Sequence, residues 1–207
     1  MKLDQAAENL QVIRTLMERS AVYRRALAPI MTYCGIVGLV GGLLAWKLNI
    51  QTTHQFVAFW NGVAAMSLIG SFMLVRRQAF KADESFWSPP TKRVSQAMML
   101  PLFVGFFVGL VFAFGVKADD SETQGIITMV WAWLYGCALH SGGFSVSRGF
   151  RLFGWVYALA GCALLSYLVC SNNRALQPNL LMGAVFGGLH LAYGIYLYFT
   201  EKRRNEP

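Results

Sequence analysis

The chain has 207 residues, of which 56% are hydrophobic and only 14% are charged, and its formal net charge is +8. Soluble domains carry about a quarter charged residues, so this composition argues against a soluble domain. The basic charge comes without a zinc-ligand spacing or a basic–aromatic RNA-binding motif, and nucleic acid is therefore not an expected partner. The four cysteines show no CxxC spacing and lie in apolar stretches. We expect them to be packing residues rather than a disulfide framework.

Residues 4–26 form the only extended polar stretch with a helical apolar pattern. Leu10, Ile13, Met17 and Ala21 recur at helical spacing, and charged residues fall mostly on the opposite side. The pattern predicts an amphipathic helix. Such a helix can lie on the cytoplasmic membrane surface, dock against a protein partner or a second copy, or simply cap the bundle. The charge in this segment also predicts that no signal peptide is cleaved, the first apolar stretch being a retained anchor.

Six stretches of roughly 18–23 residues are nearly free of charge, and each is about long enough to cross ~30 Å of hydrocarbon. They lie at about 28–46, 56–75, 95–116, 124–146, 153–170 and 179–199. The sequence therefore predicts an all-α, polytopic transmembrane bundle of six helices, arranged as three hairpins. The predicted organisation is a juxtamembrane helix over 1–26, a six-span domain over 27–200 and a basic tail over 201–207.

The distribution of Lys and Arg sets the expected orientation, because cytoplasmic loops retain positive charge. One side holds fifteen of these residues: five in 1–26, five in 76–93, two at Arg148 and Arg151, and three in 201–207. The other side holds three, and its connections are short. Both termini are therefore expected in the cytoplasm, with the lipid bilayer as the principal partner.

The longest connection, 76–93, combines five basic residues with Phe80, Phe86 and Trp87. Basic and aromatic residues beside a membrane attract anionic headgroups. The sequence favours a role in topology and anchoring over a dedicated lipid site.

Glycine pairs at GxxxG spacing let helices approach closely in lipid, where no hydrophobic force draws helices together. Three helices carry such a pair, which makes the first, third and sixth helices the expected sites of tight packing. The pairs are Gly38 with Gly42, Gly105 with Gly109, and Gly183 with Gly187.

Ionisable residues inside a membrane usually indicate function. No Asp or Glu lies within a predicted span, which argues against transport coupled to a membrane carboxylate. The remaining candidates for a ligand-binding site are His140, Ser141, Ser145, His190 and Asn61. Three interpretations stay open: structural histidines bonded to neighbours, a small-molecule or quinone pocket, and a haem or metal site. The aromatic residues of 131–135 and 193–199 fit interfacial belts and core packing.

A shared haem is the least favoured of these interpretations. His140 lies about 16 residues from the outer end of its span and His190 about 11, so their depths differ by roughly 7 Å at 1.5 Å per residue. Axial ligands of one haem need more similar depths. No metal site is predicted, and no cofactor is identified.

Three strings resemble a family of small, uncharacterised bacterial integral membrane proteins: LYGCALHSGGFSVSRGFRLFGW (134–155), VFGGLHLAYG (185–194) and ENLQVIRTLMERS (8–20). This resemblance implies the bacterial inner membrane and a multi-span helical bundle. It implies no activity and transfers no functional residue.

The leading expectation for function is a non-enzymatic binding, sensor, regulatory or assembly protein that presents the 4–26 helix to a partner. The first alternative is a small channel or transporter whose pathway passes His140, Ser141 and His190. The second is a haem- or quinone-binding redox protein. No GxSxG, HExxH or phosphate-binding glycine loop is present to support a catalytic role.

Overall fold

The computed structural model describes residues 27–81, 87, 89–115, 120–170 and 177–205, with side chains through 200 in the last range. Helices account for almost all of these residues, and none of them is in a strand. The predicted helix over 4–26 lies outside the described residues. The helices are α1 (Leu27–Lys47), α2 (Thr53–Lys81), α3 (Pro89–Gly115), α4 (Asp120–Val146), α5 (Arg148–Cys170), α6 (Pro178–Met182), a π-helical segment (Gly183–Gly188) and α7 (Leu189–Asn205).

Five helical segments in the described part of the chain are long and apolar enough to cross a membrane. They are α1, α2, α3 from Thr91, α5, and the continuous run Pro178–Thr200 that joins α6, the π-helical segment and most of α7. We call this run the last span. The remaining long helix, α4, has 27 residues but includes Asp120, Glu122, Gln124 and His140, which lower its hydropathy.

Two buried clusters mark the two ends of the bundle. The first, the His190 core, contains Leu27, Met31, Leu139, Phe150 and Phe153 among its buried members, and Tyr193 packs against it. The second, the Trp60 core, is formed by Phe56, Val57, Trp60, Ile127 and Met182. The start of α1 therefore lies with the end of α4 and the start of α5. The starts of α2, α4 and the last span meet at the opposite end.

The last span packs against α1 with its backbone. A Cβ atom added to Gly38 would lie 2.7 Å from the Cα of Gly187, and one added to Gly42 would lie 2.8 Å from the Cα of Gly183. No side chain larger than hydrogen fits between these four positions without moving a backbone. Two of the three predicted glycine pairs thus face each other across one interface, as close packing in lipid favours.

The third pair faces a side chain instead of a backbone. A Cβ on Gly109 would lie 2.8 Å from Cζ2 of Trp131 in α4, and the indole Nε1 of Trp131 donates to the carbonyl of Gly105 at 2.8 Å. Here α3 uses its glycines to receive a large ring. A further close backbone approach occurs between α4 and α5, where a Cβ on Gly136 would lie 2.8 Å from the carbonyl oxygen of Gly154.

The turn after α1 is closed by its own backbone. Asn49 has a φ of 54°, a left-handed conformation that Asn tolerates better than most residues. Its N–H donates to the carbonyl of Trp46 and that of Ile50 to the carbonyl of Ala45, both at 3.1 Å. This is the Schellman pattern that satisfies the last carbonyls of a helix.

Polar side chains from two other helices then hold this turn. Asn179 donates to the carbonyl of Ile50 at 2.8 Å and Gln124 to the carbonyl of Gln51 at 2.5 Å. Thr53, the first residue of α2, donates its N–H and its hydroxyl to one oxygen of Asp120, at 2.8 and 2.6 Å. We call these contacts the 50–53 clamp. They fix the start of α2 against the starts of α4 and the last span.

Candidate functional site

The last span contains a π-helical segment, Gly183–Gly188, directly before His190. A π-helix shifts the hydrogen-bond pattern from four residues to five, and short π segments in α-helices often occur at functional sites. A side chain from a neighbouring helix, Tyr157, also donates to carbonyls of this segment.

His190 is 5% exposed, and tyrosines from two other helices approach its ring. The hydroxyl of Tyr135, in α4, lies 2.7 Å from Nε2. The hydroxyl of Tyr157, in α5, lies 2.8 Å from Nδ1. These three residues form a buried cluster, the Tyr–His–Tyr cluster, which joins α4, α5 and the last span.

The geometry assigns the protons in this cluster. Nδ1 of His190 lies 2.5 Å from the carbonyl oxygen of Phe186, which can only accept, so Nδ1 carries the hydrogen. Nε2 is then an acceptor, and Tyr135 donates to it. Tyr157 donates to the main-chain carbonyls of Val185 and Phe186, at 3.2 and 3.3 Å. His190 and Tyr157 therefore both donate to main-chain carbonyls of the π segment.

Aromatic rings surround the cluster. Phe153 stacks on Tyr193 with ring centroids 4.3 Å apart, and it meets His190 edge-on at 5.5 Å. Tyr135 and Tyr157 also meet edge to face, at 4.9 Å. Apolar surroundings strengthen satisfied hydrogen bonds and make an unsatisfied one costly. The arrangement suits a fixed polar linkage.

His140 occupies a different environment. Its ring contacts Phe144 and Trp155 edge-on, at 5.4 and 5.8 Å, and both of these side chains are largely exposed. Its Nδ1 is buried and has no hydrogen-bond partner among the described residues. The aromatic rings that contact His140 differ from those that contact His190. No hydrogen bond among the described residues joins the two histidines.

The other predicted site residues lie outside the cluster. Asn61 donates to the carbonyl of Val57 in its own helix, at 2.8 Å. Ser141 is exposed and Ser145 is half-buried. Of the five predicted ligand-binding residues, only His190 belongs to the Tyr–His–Tyr cluster. Within the described residues, no group of three His, Cys, Asp or Glu side chains lies close enough to hold a metal ion.

Sequence reasoning missed Tyr135 and Tyr157 as members of a site. Tyr135 stood among aromatic residues assigned to belts and packing, and Tyr157 was not singled out. A tyrosine several turns inside an apolar helix is a usable signal, because its hydroxyl needs a partner when it is buried. Two such tyrosines and one histidine in three spans give the composition of the cluster, although not its pairing.

The second polar group of the bundle, the 50–53 clamp, contains the carboxylate of Asp120. The hydrogen bond from the Thr53 hydroxyl, followed by that from the Thr53 N–H, lowers the pKa of Asp120 below the ordinary aspartate value. Asp120 also begins α4, where the helix dipole favours negative charge. Asp120 is therefore a charged contact at one end of the bundle.

No protein-family model matches this chain, and comparison with curated proteins and with solved structures finds no similar protein. Function has therefore to be inferred from the geometry of the site.

Proposed function

We propose that the chain is a six-span protein of the bacterial inner membrane, with three helical hairpins and both termini in the cytoplasm, that works by binding a partner rather than by catalysis. Five apolar helical segments support five of the spans. For α4, the supporting observation is that Ile127 belongs to the Trp60 core and Leu139 to the His190 core. A helix that reaches from one core to the other runs the depth of the bundle, and its polar residues are largely covered by neighbours.

The orientation rests on the excess of Lys and Arg on one side of the predicted spans. The same side receives the start of α1, the end of α4 and the start of α5, which meet in the His190 core. In this proposal the His190 core faces the cytoplasm and the 50–53 clamp faces the opposite side.

The observation that favours a binding role over haem ligation or transport is that both ring nitrogens of His190 are already hydrogen-bonded. Tyr135 occupies Nε2, and the Phe186 carbonyl and Tyr157 occupy Nδ1. A haem iron or a transported solute would have to displace one of these bonds in an apolar environment, where an unmade hydrogen bond is costly. In this proposal His190 therefore serves to join three helices.

A fixed bundle of this kind is suited to present the segment that precedes it. Leu27 and Met31, at the start of α1, are buried in the His190 core. Residues 4–26 therefore directly precede a helix whose first turns are fixed by packing. Their amphipathic pattern supplies an apolar face for a protein partner, for a second copy of this chain or for an assembly in which this chain is one component.

Photo-crosslinking in native membranes tests this proposal. A crosslinking residue at Ala21, on the apolar face but outside the substituted positions, should give discrete protein adducts with the wild-type chain. The triple variant L10S/I13S/M17S should lose these adducts by about tenfold, since it removes the apolar face that would bind.

The matched control is Q11S/T15S/E18S, which changes the same number of residues on the opposite side of the predicted helix. It should keep the adducts, and both variants should insert into the membrane as the wild type does. The proposal is wrong if the wild type gives no protein adduct, or if the apolar variant keeps the full set. An adduct of twice the chain mass would identify the partner as a second copy.

A further inference from the structure

The last turns of α2 line an open cleft with a volume of about 440 Å³. Its described lining consists of Met73, Arg76, Arg77, Phe80 and Lys81. The last four positions follow Met73 by three, four, seven and eight residues, so all five lie on one face of one helix. Three of the five are cations, and none is acidic.

One cation of this cleft, Arg76, contacts the aromatic ring of Phe80. The guanidinium carbon of Arg76 lies 5.4 Å from the ring centroid of Phe80, within the range of a cation–π contact. Phe80 is largely exposed, as are Arg77 and Lys81. The charged groups therefore remain available to a ligand.

An exposed apolar strip continues from the cleft along α2. Met66, Ile69 and Met73 are 53%, 57% and 63% exposed and lie at helical spacing on the side that leads to Arg76 and Arg77. From Met66 to Phe80 the helix rises about 21 Å. A cationic cleft thus sits at the end of a long apolar surface that the described helices leave uncovered.

We propose that this face binds an anionic phospholipid, with its phosphate against Arg76, Arg77 and Lys81 and an acyl chain along Met66, Ile69 and Met73. Arginine suits this ligand because its planar guanidinium forms paired hydrogen bonds with phosphate oxygens. A zwitterionic headgroup carries a cation that three basic side chains would repel. A free phosphate would leave the apolar strip unused.

Topology alone explains why cations follow α2. It does not require them to share one face, to line a cleft with an aromatic ring, or to continue an apolar strip. Other exposed cations on the same predicted side lack this arrangement. Lys92, Arg93 and Arg148 are exposed and do not line the cleft, so they provide a matched set for comparison.

Native mass spectrometry of the purified chain with added lipid tests the proposal. Phosphatidylglycerol should bind the wild type, and phosphatidylcholine with the same acyl chains should bind at least about tenfold more weakly, as expected for an electrostatic headgroup site. The variant R76Q/R77Q/K81Q should lose this preference. The variant K92Q/R93Q/R148Q, with the same change in charge, should keep it within about twofold.

Three outcomes would overturn the proposal: no preference in the wild type, an unchanged preference in the cleft variant, or an equal loss in both variants. Binding of glycerol phosphate as strong as that of the lipid would identify an anion site in place of a lipid site. A photoactivatable phosphatidylglycerol gives an independent check on the unaltered chain. It should label residues 66–81, and labelling confined to other helices would contradict the assignment.

Discussion

The last span and α2 are both long apolar helices with two or more glycines, yet they pack in opposite ways. The last span touches the backbone of α1 at Gly183 and Gly187 and is hydrogen-bonded to α4 and α5 through His190. The buried residues of α2 are Thr53, Phe56, Val57 and Trp60 near its start and Ala79 near its end. Most of the side chains between them are partly or largely exposed.

The difference lies in what each glycine faces. A Cβ on Gly62 of α2 would meet no atom within 4 Å, and Gly70 faces the ring of Tyr33. Gly183 and Gly187 face backbone atoms of α1. In lipid, glycines allow the closest helix packing where another backbone uses the space that they leave. The last span therefore packs backbone to backbone against α1, whereas the middle of α2 meets side chains of α1, such as Tyr33 at Gly70 and Met66, and leaves a long surface exposed.

The largest expected effect is at the contact between the last span and α1. Gly187 and Gly188 are neighbours in the same π segment, but a Cβ on Gly187 would lie 2.7 Å from the Gly38 carbonyl carbon, whereas a Cβ on Gly188 would meet nothing within 4 Å. We expect Gly187→Ala to lower the free energy of unfolding by about 3 kcal/mol, because backbones must separate. Unfolding in mixed detergent, followed by circular dichroism, measures this.

Gly188→Ala is the control, with the same chemical change one residue away. It should leave stability unchanged or raise it slightly, since alanine favours helix over glycine. Equal effects of the two substitutions would show that the contact with α1 is not what makes the last span pack differently from α2.

The next effect concerns the Tyr–His–Tyr cluster. Tyr157→Phe removes the hydroxyl that donates to the Val185 and Phe186 carbonyls, although the Phe186 carbonyl keeps its bond from His190. We expect a loss of about 1–2 kcal/mol in the free energy of unfolding. Tyr196→Phe, at a residue that is 60% exposed, should change it by less than about 0.5 kcal/mol. If the two tyrosines behave alike, the cluster does not hold the last span.

The sequence predicted the positions of the helices well, because the hydropathy of a stretch follows directly from the amino acids that it contains. Five of the six apolar stretches fall entirely within described helical segments, and the third follows α3 as far as Gly115. Helix α2 extends beyond 56–75 at both ends, to Thr53 and Lys81. The polar residues that flank the apolar stretch carry no hydropathy signal. A helix continues through them because no proline or glycine interrupts it.

The sequence did not predict the cluster, for a different physical reason. Whether Tyr135, Tyr157 and His190 meet depends on how three helices are rotated about their axes, and hydropathy carries little information about that rotation in lipid. The π segment likewise has no composition signal beyond its glycines. The glycine pairs were visible, but their partners were set by the fold: Gly38 and Gly42 meet the last span, whereas Gly105 and Gly109 receive Trp131.

The smallest expected effect is at the 50–53 clamp, which holds the start of α2. Hydrogen bonds from Thr53 lower the pKa of Asp120. The carboxylate therefore stabilises the folded state at neutral pH, and this contribution is lost as pH falls below about 4, through the lowered pKa. Asp120→Asn should remove this part of the pH dependence, measured as detergent unfolding between about pH 3 and pH 7.

A pair of substitutions at Thr53 separates this contact from general acid effects. Thr53→Val removes the hydroxyl donor of the shorter bond to Asp120 and should reduce the same pH-dependent part, whereas Thr53→Ser keeps both donors and should match the wild type. Identical pH profiles for all four chains would mean that Asp120 does not help to hold α2. The start of α2 would then be held by Phe56, Val57 and Trp60, which are buried in the Trp60 core, and by the hydrogen bond that the Trp60 indole donates to Asn179.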